Sequence, residues 1–265
     1  MNNLKRLKEK YTLITGASKG IGYELAKIFA QNKFNLILVA RSEDKLAEIA
    51  KELIEKYNIN CYIFAADLSS LDNVKKLYNK VQNKGLDVSV LVNNAGFGKL
   101  GLFHKTDIET EINMINLNIT TVTFLTKLFL QDMIKMGYGK IMNVASTAAF
   151  QPGPYMSVYY ASKAYVLSFS EALASELNNS KISISTLCPG PTDTNFQDVA
   201  NMKKVKLFES EVMKAETVAK VAYKGLLKGK RIIIPGIKNK LLATSSKLMP
   251  SKAITEIVKK LQSPN

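Results

Sequence analysis

The 265 residues (29.4 kDa) exceed the usual size of one hydrophobic core but fit a single large α/β domain, and 46% apolar with 22% charged residues exclude a disordered, collagenous or fibrous chain. The net charge of +15 invites a nucleic-acid or anionic-membrane reading. Yet 34 of the 37 basic residues are scattered lysines, with arginine only at Arg6, Arg41 and Arg231, so a nucleic-acid partner is not expected. No stretch reaches the roughly 20 apolar residues of a membrane span, and the first residues lack a signal-peptide core, which gives a cytoplasmic expectation.

In chain order, β-branched runs predict strands at Tyr11 to Thr15, Asn35 to Ala40, Asn60 to Ala65, Val88 to Val92, Gly139 to Val144, Ile182 to Leu187 and Arg231 to Ile234. Amphipathic segments between them predict helices at Ile21 to Asn32, Ser42 to Tyr57, Leu71 to Lys84, Ile108 to Met136, Ser157 to Leu177 and Ala215 to Lys228. This alternation implies an α/β fold with a doubly wound sheet of about seven parallel strands, helices on both faces in three layers, and binding loops at the carboxyl ends of the strands.

Residues 1–235 are expected to form the single domain. Within it, 192–214 departs from the rhythm, and Phe196, Val199, Met202, Val205, Leu207, Phe208 and Met213 fit either a lid or ordinary packing. The basic, partly apolar extension 236–265 reads as a terminal helix packed on the domain or at a subunit contact; peripheral contact with anionic lipid is the alternative. Cys61 and Cys188 lack metal or redox spacing and read as buried thiols, and the lone His104 reads as a loop or surface residue without metal-site companions. No metal site is expected.

Between the first strand and helix, Thr15-Gly16-Ala17-Ser18-Lys19-Gly20-Ile21-Gly22 forms a glycine-rich turn that would let backbone amides approach a pyrophosphate. Its GxxxGxG spacing departs from GxGxxG, so its position in strand, turn and helix carries the reading. After the second strand stands Arg41, where an acidic residue would grip free ribose hydroxyls. Arg41, Lys19 and Ser42 together suit a 2′-phosphate and favour NADP(H) over NAD(H); alternatively, Arg41 and Lys19 are solvated charges near Glu43 and Asp44.

With Asp67-Leu68, Asn93-Asn94-Ala95-Gly96, Asn118, Ser146, Tyr159-x-x-x-Lys163 and Pro189-Gly190 in this order, the chain resembles the classical short-chain dehydrogenase/reductase family over about residues 10 to 195. The resemblance implies a Rossmann-like fold in which Gly16, Ser18, Lys19, Gly20, Ile21, Gly22 and Arg41 bind the dinucleotide. Asp67 and Leu68 would flank adenine, Asn93, Asn94, Ala95 and Gly96 would shape the cleft, and Pro189, Gly190 and Thr194 would meet the nicotinamide end. It also implies a homodimer or homotetramer.

A ketone accepting hydride needs a proton donor and a hydrogen bond that strengthens as charge grows on oxygen. Tyr159 is the candidate acid, with Lys163 one helical turn away to favour its phenolate in the reverse direction. Tyr160 has Ala164 at that offset and Tyr155 has Tyr159, so neither rival carries the pairing. Ser146 would polarise the carbonyl, and Lys163 would also hold the nicotinamide ribose. Asn118, unfavourable within a helix, would by resemblance maintain a water bridge to Lys163.

The expected activity is NADP-dependent hydride transfer between a carbonyl and a secondary alcohol. Phe97, Leu100, Phe150, Met156, Phe196 and Met202 suggest a lipophilic ketoacyl, steroid or other bulky ketone, and could equally be packing. A cofactor-binding regulator or scaffold with vestigial activity is the alternative; a sugar-nucleotide epimerase fits the glycine spacing less well.

Overall fold

The computed structural model describes residues 3–194, 196–200 and 212–263. Its strands are β1 (Tyr11–Thr15), β2 (Asn35–Ala40), β3 (Cys61–Ala65), β4 (Val88–Asn93), β5 (Gly139–Val144), β6 (Ile182–Leu187), β7 (Thr192–Asp193), β8 (Met213–Lys214) and β9 (Ile232–Ile233). Seven of them form one parallel sheet in the order β3-β2-β1-β4-β5-β6-β9, while β7 and β8 pair separately. Parallel neighbours need crossovers, and helices between the strands supply them: α2 (Gly20–Gln31), α3 (Glu43–Tyr57), α4 (Leu71–Asn83), α5 (Ile108–Ile115), α6 (Thr121–Met136), α7 (Ser157–Glu176), α8 (Phe196–Val199) and α9 (Ala215–Leu227), while α1 (Asn3–Lys8) precedes the sheet and α10 (Ile237–Leu248) and α11 (Ser251–Gln262) follow it.

Strands covered on both faces read as continuous apolar runs because alternate side chains enter different cores. Leu36 and Leu38 of β2 join Leu25 and Phe29 of α2, Leu46 and Leu53 of α3, and Ala222 and Leu226 of α9. Ile37 and Val39 point the other way, into Leu77 of α4, Leu125 and Phe129 of α6, and Ala174 of α7. These two cores make the expected three layers.

Strand order reverses between β1 and β4, so the loops leaving their carboxyl ends diverge and open a crevice. The segment expected as one helix from Ile108 to Met136 departs from plan: a π turn at Asn116–Thr120 separates α5 from α6. The extra residue per turn places Asn118 fully inside the protein, between the β4 loop and α7. The basic extension contains two helices, α10 and α11, rather than one.

Candidate active site

The crevice begins at the phosphate turn. Gly16 and Gly20 adopt φ of 65° and 59°, a left-handed backbone that a Cβ disfavours, and a Cβ on Gly22 would lie 2.3 Å from Gly16 O. Only glycine fits there. Asn94 holds the turn from the neighbouring strand, its Nδ2 donating to Thr15 O at 2.9 Å and Gly16 O at 3.2 Å. In return the amides of Asn94 and Ala95 each donate to Thr15 Oγ1 at 3.0 Å. At Lys19, the cap of α2, no side chain accepts from the helix's first amides. An uncapped helix start behind a glycine cradle fits a pyrophosphate.

Farther along the sheet edge, Arg41 and Asp67 line a cleft of about 330 Å³ with Phe64, Asn73, Lys76 and Lys80. Asp67 accepts from Ser69 N at 3.0 Å and Ser69 Oγ at 2.8 Å. These bonds, with Arg41 nearby, hold its carboxyl below the ordinary aspartate range despite partial burial. Leu68 is buried, whereas Lys19 is exposed and is not among the residues lining this cleft. Ser42 is engaged in capping α3, accepting from Lys45 N at 3.4 Å.

At the centre, Tyr159 and Lys163 face the same space. Lys163 Nζ lies 5.7 Å from the Tyr159 ring centroid and donates to Val144 O at 2.9 Å. A Cβ on Gly96 would come within 3.3 Å of that Nζ and 2.9 Å of Asn118 Oδ1, so this glycine admits both side chains. Asn118 Nδ2 donates to Phe97 O at 2.9 Å and Ser162 Oγ at 3.0 Å, while its Oδ1 accepts from Phe97 N at 3.2 Å. The amide thereby fixes the loop after β4 against α7. Ser146 accepts from Ala148 N at 3.1 Å and donates to Pro189 O at 3.4 Å. Its hydroxyl lies close enough to Tyr159 to act on that phenol's ionisation.

Burial pushes the Tyr159 hydroxyl up to about 12, with the nearby Ser146 hydroxyl acting the other way. Burial likewise lowers Lys163 to about 8, opposed by Cys188. At neutral pH the pair is thus a protonated phenol beside a buried ammonium that is still mostly charged.

Around Tyr159 the wall is apolar. Phe196 of α8 packs with ring centroids 5.3 Å apart, and Met156, Phe97, Leu100, Ile254 and Val258 belong to the same cluster. Phe150 joins a neighbouring cluster with Val166 and Cys188. Gly101 N donates to Tyr155 O at 2.8 Å and Leu100 N to Ala200 O at 3.1 Å, tying together the three loops of this wall. Tyr155 itself is held at φ 67°, an uncommon conformation for a non-glycine residue beside the cleft. Of the expected lid, Met202, Val205, Leu207 and Phe208 fall outside the described residues, as does the side chain of Val199.

On the far side, Thr194 lies against Gly20, and Thr192 Oγ1 donates to Gly190 O at 2.8 Å. Cys188 is buried and Cys61 half-buried, and His104 is exposed in a short turn. Among the described residues no cluster of His, Cys, Asp or Glu could hold a metal.

Sequence reasoning missed four contributors. Asn143, Thr126 and Ser170 form a buried chain with Asn93: Asn93 Nδ2 donates to Thr126 Oγ1 at 3.0 Å and Asn143 Oδ1 at 2.9 Å, and Asn143 Nδ2 donates to Ser170 Oγ at 2.9 Å. This network joins β4, β5, α6 and α7 behind the site. The fourth is Gln262 of α11, buried and donating to Tyr160 Oη and, at 3.8 Å, to Met156 Sδ. No short-range signal marks it, because its partners lie more than 100 residues earlier.

A family model described as short chain dehydrogenase matches residues 10–205. Very-long-chain 3-oxoacyl-CoA reductase-B of Danio rerio is 34% identical over 196 residues, covering 72% of this chain and 62% of that protein. The chain thus spans under two thirds of that relative's length. Among solved structures, a short-chain dehydrogenase from Sphingobium yanoikuyae in complex with NADPH superposes with a TM-score of 0.81 at 29% identity, covering 91% of this chain and 95% of that one. The bulky-bulky ketone specific alcohol dehydrogenase from Comamonas testosteroni gives 0.77 at 28% identity, covering 91% and 93%.

Proposed function

The chain belongs to the short-chain dehydrogenase family, and on that premise we propose that it is an NADP(H)-preferring reductase of lipophilic carbonyls, reversible toward the secondary alcohol. The observation that carries this reading is Tyr159 beneath an apolar wall with the Ser146 hydroxyl nearby and Lys163 buried 5.7 Å from its ring. The nicotinamide group, when bound, supplies or accepts the hydride.

The protein's own residues do the rest. Gly16, Ser18, Gly20, Ile21 and Gly22 present the turn and helix start to the pyrophosphate, and Asn94, Ala95, Gly96, Pro189, Gly190 and Thr194 border the remaining cleft. Arg41 would hold the 2′-phosphate, with Lys19, exposed on the turn outside the Arg41 cleft, adding positive charge; Asp67 and Leu68 would border adenine. Ser146 orients the substrate oxygen toward Tyr159. Tyr159 releases its proton as negative charge grows on that oxygen. Lys163 stabilises the phenolate left behind and reaches the ribose, while Asn118 holds the Gly96–Phe97 loop against the pair. Phe196, Met156 and Leu100 exclude water and favour apolar substrate flesh.

Arg41 supports the phosphate-bearing cofactor, as does the NADPH held by the Sphingobium yanoikuyae relative. The relatives named for 3-oxoacyl-CoA and bulky ketones support a lipophilic carbonyl. Self-association would use the exposed apolar face of Phe103, Ile108 and Ile112.

A panel of 3-oxoacyl thioesters, steroids and bulky ketones, run with NADPH and NADH and followed by reduced-nicotinamide absorbance, tests the proposal. Turnover of at least one member, with NADPH favoured about tenfold or more, is expected. Tight NADPH binding without turnover across the panel would favour a regulator instead.

A further inference from the structure

Helix α10 has two unlike sides. Ala243 and Ser246 are buried and Asn239 is half-buried, and their spacing marks the side turned to the domain. Opposite them, Ile237 and Leu241 are 77% and 66% exposed, and Leu242, 65% exposed, lies at the margin beside Ser246. At 100° per residue Lys238 and Lys240 fall on either flank of the Ile237–Leu241 stripe. The stretch 236–263 carries six lysines against one acidic residue, Glu256.

We infer that this face docks on an anionic membrane surface. An apolar stripe with a lysine margin suits the boundary between acyl chains and negatively charged headgroups. A second copy of the chain fits poorly. A two-fold contact through this face would bring two lysine-margined stripes together, in a chain of net charge +15. Anionic headgroups remove that repulsion. The attachment is peripheral in kind, since no described helix is long and apolar enough to cross a membrane.

The location connects the surface to the cleft. α10 packs on the turn Thr147–Phe150 that follows Ser146, and Asn239 fills the space that a Cβ on Gly190 would need. Docking through Ile237 and Leu241 would therefore hold the loops after β5 and β6 close to the bilayer, where lipophilic carbonyls concentrate.

Vesicle sedimentation of the full chain tests the inference without relying on turnover, so it fails or holds separately from the catalytic reading. Wild type is expected to pellet with phosphatidylglycerol-containing vesicles at low salt and far less with pure phosphatidylcholine. The triple variant Ile237→Ser, Leu241→Ser, Leu242→Ser keeps every charge and should bind the anionic vesicles at least about tenfold more weakly with its thermal melt unchanged. Ile134→Ser, altering a 56% exposed side chain on α6, should bind like wild type. Undiminished binding by the triple variant, or equal binding to neutral and anionic vesicles, would overturn the inference. So would a wild-type dimer, seen by light scattering, that the triple variant converts to monomer.

Discussion

Around the phosphate turn, position is set by backbone: Gly16 and Gly20 take left-handed φ values, and Gly22 approaches Gly16 O too closely for any Cβ. Around Tyr159, position is set by side chains brought from far apart, with Phe196, Met156, Ile254 and Val258 sharing one apolar cluster and Gln262 reaching Tyr160. A backbone-built cradle accepts almost no substitution, because the clash cannot relax. A packed wall tolerates exchange of similar volumes and can change its substrate without losing its cofactor.

That contrast is open to direct test. Gly22→Ala should have the largest effect, weakening NADPH binding by at least about 100-fold in a fluorescence titration; near-normal affinity would show that the cradle is not backbone-limited. Next comes pH. Lys163 is charged below about 8 and loses its proton above it, removing support for the phenolate that forms during reduction. Reductive kcat/KM should therefore fall about tenfold per pH unit above that point. The oxidative reaction needs ionised Tyr159 and should respond less steeply or rise. Arg41→Ala should weaken NADPH about tenfold while leaving NADH unchanged, as isothermal titration with each cofactor would reveal. Smallest is Val258→Ala in the wall, which should raise KM for a bulky ketone about threefold and lower stability by about 1 to 2 kcal/mol with cofactor affinity intact.

The same difference explains what the sequence disclosed. The five central strands were legible because doubly buried parallel strands are continuous apolar runs, and the edge strands β3 and β9 because they are β-branched or aromatic runs between turns; the deviations are terminal, such as Asn60 lying outside β3 and the last strand shrinking to Ile232–Ile233. The phosphate turn was legible because glycine spacing states a backbone requirement. By contrast, the π turn at Asn116–Thr120 was read as continuous helix, since one added residue hardly disturbs the apolar period over so long a segment. The Asn93–Thr126–Asn143–Ser170 network was invisible because polar residues on helices and strands normally face water, and only the tertiary structure shows them paired with one another inside. The walls contributed by α8 and α11 depend on contacts between distant segments, which no local pattern encodes.

The central claim is that Tyr159 supplies the proton in a cleft whose cofactor cradle is built independently of it. Single-turnover reduction by Tyr159→Phe, measured beside its NADPH affinity on a ketone that wild type reduces, tests both halves together. The account predicts a loss of at least about 1,000-fold in rate with NADPH affinity within about twofold of wild type. A variant that still reduces the ketone at near wild-type rate would contradict it.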